Sequence, residues 1–81
     1  MKKEEIIKEK RFSNEYGNEE VYSLKKEYSE TSSGAKYNEQ YIVHYGCYIE
    51  GHYSCGYYRT YKRLVNAMKD SYVEKYLKDE E

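Results

Sequence analysis

From Tyr37 to Ile49 apolar and polar side chains alternate with period two, and this run limits most strongly what the chain can fold into. Tyr37, Tyr41, Val43, Tyr45, Cys47 and Ile49 fall on one face; Asn38, Gln40, His44, Gly46 and Tyr48 fall on the other with Ile42. A helix would scatter both sets around its axis, whereas a strand gathers each on one side, so the first set is expected to face a core. Glu50 and Gly51 then read as a hairpin tip. The returning segment alternates again, with Tyr53, Cys55 and Tyr57 on one side and His52, Ser54 and Tyr58 on the other. For the two core faces to coincide, opposed residue numbers must sum to an even value, which a three-residue turn with Gly51 left-handed would supply.

Upstream, Val21 to Glu30 reads as a strand with Tyr22, Leu24 and Tyr28 on one face, and Thr31 to Gly34 as the polar turn joining it to the long run. Asn14, Gly17 and Asn18 mark an earlier turn. Residues 1–12 mix Lys and Glu in a way that favours a short surface helix, although Ile6, Ile7 and Phe12 also fit an edge strand. After Thr60, the expected N-cap, the period changes. Tyr61, Leu64, Val65, Met68, Tyr72 and Tyr76 recur at three- and four-residue intervals, which predicts a helix over 60–78, while Val73 and Leu77 lie off its stripe and need a second neighbour. The expected architecture is α+β. A three-stranded antiparallel meander over 20–58 carries a C-terminal helix on one face, with a variable N-terminal segment, in one domain spanning 1–81.

Thirteen of the 81 residues are tyrosine, with no tryptophan or proline and a single phenylalanine. Tyrosine buries a ring while keeping a hydroxyl that wants a partner, so it serves half-buried cores and polar interfaces. In a chain this short little structure is left over to shape a deep cleft, which favours function at a surface. Fourteen Lys and Arg against fifteen Asp and Glu supply no global attraction for nucleic acid or anionic membrane. No apolar run is long enough to span a membrane and no signal-peptide core is visible, so the chain reads as cytoplasmic, where two cysteines favour free thiols over a disulfide.

Chemistry-bearing residues are few. His44-Tyr45-Gly46-Cys47 is echoed by His52-Tyr53-Ser54-Cys55, and His44, Cys47, His52 and Cys55 together have the right count for zinc. In a regular strand, however, a His three positions before a Cys points to the opposite face, which favours two small core thiols and two surface histidines, with no cofactor. The same facing argument separates each thiol from its nearest imidazole base, and no phosphate loop or catalytic carboxylate pair is present, so an enzyme is not expected. Arg59, Lys62 and Arg63 gather where the C-terminal helix should begin, a place suited to an anion, while Asp79, Glu80 and Glu81 sit at its far end. Gln40, His44, Tyr48, Glu50, His52 and Tyr58 form the candidate partner-binding surface: an outer sheet face and its hairpin tip, with Tyr48, Tyr58 and His52 as expected hot spots.

In outline, a charged N-terminal segment followed by three strands and a helix is similar to double-stranded RNA-binding domains, with Arg59, Lys62 and Arg63 standing where those domains carry a basic run. That resemblance implies a small nucleic-acid-binding protein. In size and in its Lys, Glu, Tyr and Asn bias, the chain resembles small proteins of phages and mobile elements, among them anti-CRISPR inhibitors of host defence. This second resemblance implies a non-enzymatic domain that binds another protein, such as a larger host enzyme. A homodimer through the open sheet face or edge also fits a tyrosine-rich surface.

Overall fold

The computed structural model describes residues 1–78. Four strands, β1 (Lys2–Ser13), β2 (Glu19–Glu30), β3 (Lys36–Ile49) and β4 (His52–Tyr61), form one antiparallel sheet in the order β1-β2-β3-β4. The expected three-stranded sheet with a C-terminal helix is therefore corrected to a four-stranded meander with only short helical pieces.

The first correction is the N-terminal segment, which is a full strand and not a helix. Its helix-forming Lys and Glu residues contribute a few tenths of a kcal/mol each, less than a continuous ladder with β2. An outer strand also keeps charges solvated and lets them bridge to its neighbour. Lys25 reaches Glu4 at 3.2 Å, Lys2 reaches Glu27 at 3.0 Å and Lys3 reaches Glu30 at 3.5 Å. Ile7 is an extra residue between the pairs Ile6–Lys25 and Lys8–Leu24, so Leu24 and Tyr22 stand opposite Lys8 and Lys10.

The second correction is the C-terminal segment. β4 runs through Thr60, the expected N-cap, to Tyr61, which pairs with Tyr41. Only a five-residue helix, α1 (Leu64–Met68), follows, and then a π turn, Val73–Leu77. Asp70 interrupts the helical period: its Oδ1 accepts from the Tyr72 amide at 2.8 Å, as an N-cap does, and so starts a new stretch in a new direction. The buried apolar residues are consequently Ala67, Val73 and Leu77, whereas Leu64, Val65 and Met68 of the expected stripe are exposed.

These pieces cover one face of the sheet. Tyr22, Leu24 and Val43 pack with Ala67, Val73 and Leu77, ringed by Tyr41, Tyr45, Tyr57, Tyr61, Tyr72 and Tyr76. Tyr22 stacks between Tyr45 and Tyr76 at ring distances of 4.6 and 4.1 Å, and Tyr72 lies on Tyr57 at 3.9 Å. Rings whose rims carry hydroxyls let a thin layer exclude water and still satisfy its polar atoms. Asp70, itself buried, accepts hydrogen bonds from the hydroxyls of Tyr57 and Tyr61 and so fastens this layer to β4.

The β3–β4 hairpin decides what the other face carries. Its turn has two residues, Glu50 at φ 51° and Gly51 at φ 80°, with Ile49 opposite His52. That is the tight turn whose twist suits a hairpin, and it places His52 on the covered side of the sheet, past the end of the covering layer. Gly56 is then an extra residue, because Tyr45 pairs with Tyr57 while Gly46 pairs with Cys55. The even sum needed to align the core faces is reached at this bulge, and not at the tip.

Candidate functional site

Below the bulge, the residues that point away from the covering layer are Tyr53 and Cys55; above it, Tyr58 and Thr60 do so. With the alternation of β2 and β3 they build four cross-strand rows on the open face: Lys25, Ile42 and Thr60; Ser23, His44 and Tyr58; Val21, Gly46 and Cys55; Glu19, Tyr48 and Tyr53. Ile42 has no exposed surface although no helix covers it. Its cross-strand neighbours on that face are Lys25 and Thr60, the positions whose side chains stand nearest to it in a sheet.

The centre of this face is a joined group of rings. Tyr53 leans across Gly46, so that a Cβ added to Gly46 would lie 2.0 Å from the Tyr53 hydroxyl oxygen. From there the hydroxyl is hydrogen-bonded to His44 Nε2, and Ser23 Oγ lies 3.4 Å from His44 Nδ1. Tyr53 stacks with His44 at 5.5 Å and meets Tyr48 at 4.9 Å, while Tyr58 stands edge-on to His44 at 6.1 Å. Burial, helped by the nearby Lys25 ammonium, lowers the His44 pKa, so the imidazole is neutral at neutral pH. A groove of about 360 Å³ lies beside it, lined by Ile6, Val21, Ser23, Lys25, His44 and Tyr53 among others. On its β1 side both cations are engaged by carboxylates: Lys25 by Glu4, and Arg11 by both Glu9 and Glu19.

Gly46→Ala tests whether this arrangement holds. The methyl group must expel the Tyr53 ring from its seat, and overpacking of this kind costs about 1–3 kcal/mol. The expected result is a lower melting temperature together with a changed His44 ring signal in NMR; an unchanged signal would mean that Tyr53 does not rest there.

Of the residues chosen from sequence, Gln40, His44, Tyr48 and Tyr58 share the open face, and Glu50 forms the tip. Gln40 lies toward one end, donating to Glu27 at 3.0 Å. His52 lies on the other side, and Tyr53, assigned to the core by the expected three-residue turn, takes its place. The signal for Tyr53 was a glycine inside each strand: Gly46 makes room for the ring and Gly56 shifts the register.

The four zinc candidates are divided, with His44 and Cys55 on the open face and Cys47 and His52 on the other. Both thiols are free, and no group of three or more His, Cys, Asp or Glu that could hold a metal ion occurs among the described residues. Arg59 does not open a helix; it stands opposite Val43 in β4, its guanidinium 5.9 Å from the Tyr57 ring centre. Lys62 and Arg63 lie in the bend after β4, and the long helix whose dipole they were expected to join is not formed. Asp79, Glu80 and Glu81, expected at the far end of that helix, lie outside the described residues. No helix among the described residues is long and apolar enough to cross a membrane. Comparisons with protein-family models, with curated proteins and with solved structures find no match to this chain.

Proposed function

We propose that this chain is a non-enzymatic domain that binds another protein through the open face of its sheet. The observation carrying this reading is the ring group of His44, Tyr48, Tyr53 and Tyr58, which shares the open face with buried Ile42 and Val21 and is left bare by the covering layer. Large rigid rings at the centre with paired charges beside them match the anatomy of protein interfaces, whose energy is concentrated in a few central aromatics. Nucleic acid fits less well. The rings would stack on bases, but Lys25 and Arg11 beside them are already paired with carboxylates, leaving little for a phosphate backbone. The resemblance in size and composition to phage-encoded inhibitors makes a larger host enzyme the partner class to test first.

With a partner in hand, Tyr53→Ala and Tyr58→Ala should each weaken binding by about 2 kcal/mol, measured by calorimetry. His52→Ala, on the other side of the sheet, should leave affinity unchanged. Undiminished binding by a folded Tyr53→Ala, Tyr58→Ala double variant would reject this surface.

A further inference from the structure

The two edges of the sheet differ. β1 carries eight charged residues among its twelve, the usual protection of an exposed edge against pairing with another chain, whereas β4 carries one, Arg59, among its ten. β4 is the last strand of the sheet, so among the described residues its outer edge has no strand beside it.

We propose that two copies of this chain pair antiparallel along β4, forming a continuous eight-stranded sheet about a two-fold axis. The sequence around β4 is self-complementary in that arrangement. Glu50 precedes the strand and Lys62 and Arg63 follow it, all three are exposed, and none makes an ion pair among the described residues.

A two-fold pairing must place open-face residues opposite open-face residues. The register of greatest overlap that does so has Tyr57 on the axis, with Cys55, Ser54, Tyr53 and His52 opposite Tyr58, Arg59, Thr60 and Tyr61 of the second copy. Arg59 then faces a neutral serine and meets no like charge. Each hairpin tip comes alongside the other copy's bend, which sets Glu50 beside Lys62 and Arg63 at both ends. The exposed Ile49 of one copy is brought to the same end as the exposed Leu64 and Val65 of the other. One contact thus gives these cations carboxylate partners and covers apolar surface twice, while the ring groups of both copies lie on one continuous open face.

Charge exchange tests this. By analytical ultracentrifugation the full chain should form a dimer that weakens with added salt. Glu50→Lys, and separately the double substitution Lys62→Glu, Arg63→Glu, should each raise the dimer dissociation constant about tenfold or more, since attraction becomes repulsion at both ends. An equimolar mixture of the two variants should restore dimers of about wild-type affinity, because every contact between unlike copies is again attractive. Circular dichroism verifies that each variant is folded. A wild-type chain that stays monomeric up to about 1 mM, or a mixture that dimerises no better than the separate variants, would overturn the proposal.

Discussion

Raising the pH above about 10 is expected to unfold this protein cooperatively, with tyrosinate absorbance appearing in the same transition that abolishes the strand signal in circular dichroism. Burial holds the Tyr22 hydroxyl protonated, helped by Tyr76 and Glu20, and pushes its pKa up to about 12. A hydrogen bond to Glu20, with burial, raises Tyr45, and a hydrogen bond to Asp70, with burial, raises Tyr61. Tyr57 and Tyr53 are raised chiefly by burial. A folded-state pKa above the unfolded value of about 10 means that the folded chain holds the proton more tightly. These groups therefore stabilise the fold fully below pH 10, and each contribution is lost as the pH rises through the group's raised folded pKa, about 12 for Tyr22. Gradual titration of all tyrosines with the strand signal intact would contradict the tyrosine core.

Asp70→Ala should be among the most damaging single substitutions, at about 3 kcal/mol in urea denaturation. The carboxylate accepts from the Tyr57 hydroxyl at 2.7 Å, from the Tyr61 hydroxyl, and from the Tyr72 amide at 2.8 Å. Alanine leaves all three donors, on half-buried residues, without their partner where the covering layer meets β4, and a domain this small has little stability to lose. Asp70→Asn keeps the shape and one acceptor oxygen, so it should cost less. Burial alone would raise the Asp70 pKa, but bonds from Tyr61, Tyr57 and the Tyr72 and Val73 amides outweigh it and hold the carboxyl below its usual range. Its contribution is thus present above the ordinary carboxylate pKa and is lost only as the pH falls through the lower folded value. Hydrogen exchange should show the Ala67–Leu77 amides losing protection first in the Asp70→Ala variant. A loss below about 1 kcal/mol would mean that the layer is held by its apolar contacts alone.

The central hairpin was legible in the sequence because burial imposes a strict period on it. Tyr41, Val43 and Tyr45 face the core as the alternation of β3 predicts, and Glu50 with Gly51 forms the tip. What failed depended on single residues that period cannot weigh. A two-residue turn and a bulge at Gly56 satisfy the same parity as one three-residue turn, yet they exchange Tyr53 for His52 on the open face. In the C-terminal segment the spacing of Leu64, Val65 and Met68 suggested a continuous helix, but Asp70 starts a new one, and burial falls on Ala67, Val73 and Leu77 instead. The N-terminal strand was the hardest to see, since its Lys and Glu residues gain their partners only across the sheet. The candidate site was half legible for the same reason: His44, Tyr48 and Tyr58 followed from alternation, while Tyr53 needed the bulge.

The open face is tested most directly by capture from bacterial lysate, with and without nuclease, using the tagged chain beside its folded Tyr53→Ala, Tyr58→Ala variant and identifying retained proteins by mass spectrometry. One protein complex held by the wild-type chain regardless of nuclease, and lost by the variant, is the expected result. Retention that vanishes with nuclease, or that the variant preserves, would contradict a protein-binding role for this face.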